Sequence, residues 1–318
     1  MFDHKQLFQE QLVTWALASD NYRALSKVLF KDFLLDGSRI RLQYNPGRIA
    51  SSSANVSQGA IQERPCFLCA VNRPADQDFR SFEGTNTRFQ ILVNPFPVFP
   101  QHFTIAAIDH RPQTIEGQFD AMLRLAESMD DCVLFYNGPR CGASAPDHLH
   151  FQAGNKGLMP IETDFDQVRK TTIWKNQTTC LSKMDRNLRN GWVLEGSNAT
   201  ELVKTFDLLL DLLKAFHATT NEEPMLNLLS WYTNGRWICI LFPRLSHRPK
   251  CYFKEDESRL LISPASVEMG GLMISARKED FERIGEKEIR EIFKDVSASE
   301  KEIDQISEQF TKKINAQS

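Results

Sequence analysis

The run Asp147-His148-Leu149-His150-Phe151-Gln152 constrains this chain more than any other stretch. Side chains alternate faces along a strand, so His148, His150 and Gln152 would share one face while Leu149 and Phe151 share the other. Three polar groups in register do not belong in an apolar core, and a leucine and a phenylalanine do not belong in water. The segment therefore calls for a sheet that packs on one side and lines a site on the other.

The neighbouring sequence supplies such a sheet. Residues 89–93 and 102–108 are apolar runs joined through Asn94-Pro-Phe-Pro, which suits two strands better than a helix. Ile115, Phe119, Met122, Leu123 and Ala126 then recur at helical spacing. Residues 132–136 read as a buried strand, residues 137–146 as a glycine-containing loop, and residues 148–153 as the next strand. Strand, strand, helix, strand, strand predicts a mostly antiparallel sheet crossed by a helix, an α+β fold. Upstream, residues 4–28 carry a helical period with a break near Asp20-Asn21, residues 39–44 alternate like a strand, and residues 45–65 read as a loop. Downstream, Leu202, Val203, Phe206, Leu209, Leu210, Leu213 and Phe216 mark an amphipathic helix. Residues 226–232 and 236–242 flank Thr233-Asn234-Gly235, a hairpin signal. A further strand pair is expected at residues 259–262 and 267–275. Ile303, Ile306, Phe310 and Ile314 form a helical packing stripe. At 318 residues the chain is one elaborate domain or two halves. The similar texture of residues 1–160 and 161–318 suggests an old duplication, with the chemistry in the first half and a completed pocket in the second.

A net charge of −3 argues against duplex nucleic acid or an anionic membrane as partner, while leaving room for a local phosphate site. The start lacks the pattern of a secretory leader, and no run approaches the roughly 18 apolar residues of a membrane span. Seven cysteines, an odd number scattered through the chain, suit a reducing compartment, so a cytoplasmic protein is expected. Arg39, Arg41 and Arg48 could meet a phosphate or simply be solvated.

Only Cys66 and Cys69 have metal-ligand spacing, and Cys-x-x-Cys alone fits a metal site, a redox pair or two core thiols. A zinc reading needs two more ligands, for which His102, His110 and His148 are candidates. His102 could instead line a nucleotide pocket. His150 is the sharper candidate, because a neutral imidazole attacks phosphorus and the resulting phosphoramidate is reactive enough to be displaced. Its other nitrogen must donate to a fixed acceptor, and a backbone carbonyl in the 141–145 loop would serve. Gln152 can donate to a non-bridging phosphate oxygen, and Gly142-Ala-Ser144 can add backbone N–H groups and a hydroxyl.

Taken in order, Cys66-Phe-Leu-Cys-Ala-Val-Asn-Arg73, Asp109-His110, Asn137-Gly138 through Gly142-Ala-Ser144, and His148-Leu-His-Phe-Gln152 resemble the galactose-1-phosphate uridylyltransferase branch of the histidine-triad superfamily. Ser263-Pro-Ala-Ser-Val-Glu-Met-Gly-Gly271 and Arg277-Lys-Glu-Asp-Phe281 are more similar to the GDP-hexose phosphorylases of that superfamily. The resemblance implies a histidine-triad fold of two related halves and a structural zinc on Cys66, Cys69, His110 and His148. It implies His150 as the nucleotidylated nucleophile and Gln152 as its phosphate partner. Asn94 would meet the ribose, His102, Asn137 and Ser144 the nucleotide or its phosphates, and Glu268 the sugar. The expected reaction is ping-pong transfer of a nucleotide from a nucleoside-diphosphate sugar to phosphate or a sugar phosphate, in a protein able to form a homodimer. A nucleotide-conjugate hydrolase and a non-catalytic, zinc-stabilised nucleotide-binding protein are the alternatives.

Overall fold

A computed structural model describes residues 3–49, 59, 64–185, 187–218 and 222–316, so most of the expected 45–65 loop lies outside the described residues. Ten strands form one antiparallel sheet. The first five are β3 (Phe79–Glu83), β4 (Arg88–Val93), β5 (His102–Ala107), β6 (Cys132–Asn137) and β7 (His150–Asn155). The second five are β8 (Lys170–Lys175), β9 (Thr179–Met184), β10 (Trp192–Gly196), β11 (Leu226–Thr233) and β12 (Arg236–Pro243). Their order across the sheet is β3-β4-β5-β7-β6-β11-β12-β10-β9-β8. Each group thus runs first, second, third, fifth, fourth, and each inserts a helix between its third and fourth strands, Phe119–Ser128 and Ala199–Phe216. The two related halves meet back to back where β6 pairs with β11, with Asn137 opposite Asn227.

Both inserted helices lie on one face of the sheet, where Phe119 stacks on Phe206 with ring centroids 4.0 Å apart. The longer helix is capped by the Asn198 side chain, which accepts from the Glu201 N–H. Its Leu202, Phe206, Leu209 and Leu213 share a core with Phe119, Met122, Leu149, Phe151 and Ala153. Odd-numbered residues of β7 therefore face the helices, and His150 and Gln152 face the other way. β6 is buried throughout, Leu134 and Tyr136 toward the helices and Val133 and Phe135 toward a second core. A central strand covered on both faces reads as an unbroken apolar run, as residues 132–136 do.

The second core belongs to a small three-stranded sheet of β1 (Leu29–Leu35), β2 (Ser38–Tyr44) and β13 (Leu272–Ser275). Here the expected strand pair fails. Residues 259–262 form no strand, a short helix Ser266–Met269 precedes β13, and β13 pairs in parallel with β2. The apolar pattern was real, but the partner strand lay some 230 residues upstream, beyond what local periodicity reports. The N-terminal helix breaks at Trp15, not at Asp20-Asn21. Trp15 is extended (φ −118°, ψ 98°) and buried, separating His4–Thr14 from Ala16–Leu25. The hairpin turns on Asn234 and Gly235 with φ of 50° and 74°, the left-handed pair a two-residue hairpin requires.

Candidate active site

The face of β7 turned away from the helices pairs with β5 so that His150 sits opposite Ala106, Gln152 opposite Thr104 and Gly154 opposite His102. His150 and Gln152, with residues of the 94–102 connection and the 142–144 loop, line a cavity of about 450 Å³. His247, Arg248, Ser263 and Glu268 from the second half close it.

The strand begins at His150; His148 precedes it in a turn closed by its own N–H to the Ala145 carbonyl at 3.1 Å. His148 and His150 consequently serve different surroundings. The His148 Nε2 lies 2.8 Å from the Ala107 carbonyl oxygen, so Nε2 carries the proton and Nδ1 presents its lone pair. That lone pair faces Cys66 Sγ at 3.3 Å and Cys69 Sγ at 3.6 Å, and Cys69 Sγ is 3.2 Å from His110 Nδ1. All four donor atoms lie within 4.8 Å of one another. Two thiols and two imidazoles converging so closely, one with its tautomer fixed by a backbone carbonyl, fit a closed tetrahedral zinc site. Asp147 stands behind His110 at 3.6 Å, its other oxygen buried with no hydrogen-bond partner among the described residues. Burial and the adjacent Cys66 thiol hold the Cys69 thiol above its ordinary pKa.

The His150 Nδ1 lies 2.8 Å from the His148 carbonyl oxygen, to which it donates. The acceptor expected in the 141–145 loop is thus the preceding histidine itself. Nε2 has no hydrogen-bond partner among the described residues, the ring lines the cavity, and burial lowers its pKa to about 4, so it is neutral near pH 7. Gln113 fixes the backbone here. Its amide oxygen accepts from the His150 N–H at 2.7 Å, and its nitrogen donates to the His150 and Asn137 carbonyls at 3.0 and 2.9 Å.

The neighbouring amides are oriented in the same manner. His102 Nδ1 accepts from the Val98 N–H at 3.3 Å, so its Nε2 donates to Gln152 Oε1 at 2.9 Å and leaves the Gln152 NH2 for the cavity. Burial drives the His102 pKa down to about 3, which keeps this tautomer neutral. Asn137 Oδ1 accepts from Asn227 Nδ2 and the Ser266 N–H, while the Ser266 hydroxyl donates to the Tyr136 carbonyl at 2.5 Å, so the Asn137 NH2 also faces the cavity. Asn94 is tied at both ends, donating to Thr104 Oγ1 at 3.1 Å and accepting from the Phe96 N–H at 2.9 Å, with one N–H to spare. The Ser144 hydroxyl lines the cavity while its carbonyl accepts from Arg64 Nη2 at 2.6 Å. Gly142 has φ +97°, and a Cβ there would lie 2.5 Å from the Ala265 Cβ, so only glycine lets this loop pass against the second half. Glu268 is buried on its short helix, where Oε2 accepts from the Ala265 N–H at 2.8 Å and burial raises its pKa.

Several contributors were not singled out from sequence. Gln113, Asn227 and Arg244 sit in apolar or unremarkable surroundings and carry no motif. Arg244 is 1% exposed and donates to Asn227 Oδ1 and to the carbonyls of Val296, Pro264, Ser246 and His247. Asn227 passes this on to Asn137 and to the Cys141 carbonyl. A buried polar chain therefore joins the two halves directly beneath the cavity. Arg48, weighed earlier only as a local phosphate contact or a solvated arginine, lines the same cavity and donates to the Phe96 carbonyl at 2.7 Å.

Two family models match the chain. One, described only as a domain of unknown function (DUF4922), covers residues 7–155, and the other, a GDPGP1-like C-terminal domain, covers residues 194–317. GDP-L-galactose phosphorylase 2 of Arabidopsis thaliana is 27% identical over 269 residues, which is 80% of this chain and 56% of that protein. The chain thus spans little more than half the length of this relative. Among solved structures, yeast Ap4A phosphorylase Apa2 in complex with Ap4A superposes with a TM-score of 0.59 at 16% identity, covering 92% of this chain and 96% of that one. At that identity the likeness speaks for the fold.

Proposed function

We propose that this chain belongs to the GDP-hexose phosphorylase branch of the histidine-triad superfamily and is a nucleotidyltransferase that splits a nucleoside-diphosphate hexose with inorganic phosphate, a reading supported by its likeness to a GDPGP1-like C-terminal domain and to GDP-L-galactose phosphorylase 2. The observation that carries the reading is the His150 ring. Its Nδ1–H is held by the His148 carbonyl while Nε2 faces a cavity into which the amides of Gln152 and Asn137 turn their N–H groups.

In the first step Nε2 attacks the α-phosphorus, the bond to the bridging oxygen breaks, and hexose 1-phosphate leaves. The ring's developing positive charge is stabilised through Nδ1–H by the carbonyl it already touches. Gln152, Asn137 and the Ser144 hydroxyl donate to the non-bridging oxygens. In the second step a phosphate oxygen attacks the same phosphorus, the N–P bond breaks, and nucleoside diphosphate departs with the imidazole neutral again. His102 has both nitrogens engaged and acts by aiming Gln152. Asn94 would take the ribose, Glu268 the hexose, and Arg48 the charge of the departing or incoming phosphate.

The donor geometry supports a structural zinc on Cys66, Cys69, His110 and His148. The ion would pin the turn before β7 and take no part in the transfer. In this reading residues 1–160 supply the nucleophile and metal, and residues 161–318 supply the sugar end of the pocket. Among the described residues no helix is long and apolar enough to cross a membrane. Product analysis tests the proposal. Adding phosphate to enzyme and GDP-hexose should accelerate turnover and yield GDP with hexose 1-phosphate. GMP formation unresponsive to phosphate would make water the acceptor and overturn it.

A further inference from the structure

The cavity's lining is uneven. Toward the N-terminal helices Leu17, Phe67 and Phe96, each between 41% and 44% exposed, form apolar walls edged by two guanidinium groups, Arg64 over the Phe67 ring at 5.1 Å and Arg48 on the Phe96 carbonyl at 2.7 Å, while Glu268 marks the side closed by the second half. Flat apolar walls suit a nucleobase. Among the described residues, one side chain there with an uncommitted polar atom is Gln77. Its backbone N–H closes a turn on the Pro74 carbonyl at 3.1 Å, and its Nε2 donates to the Val93 carbonyl at 3.1 Å, extending the β3–β4 ladder by one rung. A flipped amide would set oxygen against oxygen, so the nitrogen's position is fixed, and Oε1 is left without a hydrogen-bond partner among the described residues on a side chain that lines the cavity. The carbonyl holding it belongs to the residue before Asn94.

We infer that Gln77 reads the base, accepting through Oε1 from the N1–H and N2–H2 edge of guanine and so selecting guanine over adenine. This rests on the nucleotide-transfer reading above and adds to it the residue that sets base preference. The chemistry is one of matching edges. Guanine offers two adjacent donors, whereas adenine offers one donor beside the N1 lone pair, which an acceptor repels. The anchor on Val93 removes the freedom by which a glutamine could rotate to offer its NH2 to adenine instead.

The test is equilibrium binding of GMP and of AMP to the full-length protein, to Gln77→Leu and to Gln77→Asn, with melting curves confirming that both variants fold. Wild type should bind GMP at least roughly tenfold more tightly than AMP, and both variants should lose most of that ratio by weakening GMP alone. In turnover of GDP-hexose, KM should rise while kcat stays near its original value. An unchanged GMP-to-AMP ratio in the variants, or no GMP preference in wild type, overturns the inference. The two readings fail separately. Labelling of His150 without a Gln77-dependent preference leaves transfer standing alone, and Gln77-dependent GMP binding without labelling leaves base recognition standing alone.

Discussion

At the scale of single residues, the site works by using up one end of each polar side chain so that the other is left for substrate. His150, Gln152 and Asn137 are oriented in this way, Gln152 by a His102 ring whose own two nitrogens are both engaged, and each orientation is set by a backbone group or a buried neighbour. Gln152→Ala should therefore lower kcat by about 10²–10³ with little change in KM, since the lost donor acts on charge that develops in transfer. Gln152→Glu should be worse, because the His102 N–H is still met but a carboxylate replaces the donors; steady-state kinetics with GDP-hexose and phosphate checks both. The pH dependence follows from burial. His150 titrates near 4 and His102 near 3, both below the ordinary histidine value of 6.5. Transfer should stay level from pH 8 to about 5 and fall as pH approaches 4, where Nε2 takes a proton. Stability has the same sign. Between pH 6.5 and the folded values the unfolded chain binds more protons, so stability drops on acidification, by about 2 kcal/mol per ring at pH 5. Urea unfolding at pH 7 and pH 5 measures it.

At the scale of elements, two ties hold the reactive strand. The first is the turn before β7, where the donors of Cys66, Cys69, His110 and His148 converge. Metal analysis should find about one zinc per chain, and the double variant Cys66→Ser, Cys69→Ser should lose it together with several degrees of melting temperature. Unchanged metal content would return the cysteines to core thiols. The second tie is the buried chain from Arg244 through Asn227 to Asn137 across the β6–β11 seam. Arg244→Met should remove donors from four carbonyls and Asn227 at once, destabilising the fold by about 3 kcal/mol or more in urea unfolding. The contrast in legibility between these ties is instructive. Cys66 and Cys69 announce themselves by spacing. Arg244 does not, because its role depends on which carbonyls the fold gathers around it, and those come from residues 246 to 296. Likewise β6, β7, β11 and β12 were readable from apolar runs and the Asn234-Gly235 turn, whereas β3 and β8, at the edges of the sheet and with few apolar residues, were not.

At the scale of the whole molecule, two five-strand units of the same order share one sheet, and their unlike loops make one cavity. The repeated texture hinted at the repeated strand order, but the pocket's assembly was hidden, because Ser266 donates to Asn137 across a sequence separation of 129 and Glu268 lines the cavity from the same short helix. The second half thus contributes no nucleophile of its own in this account and supplies walls, charge and support. The central claim is that His150 carries the nucleotide between two half-reactions. The most direct measurement mixes the protein, without phosphate, with GDP-hexose labelled at the α-phosphorus. The account predicts an acid-labile label approaching one per chain with equal release of hexose 1-phosphate, discharged as labelled GDP when phosphate is added and absent in His150→Ala. A label that persists in His150→Ala, or turnover with no labelled protein at any time, would contradict it.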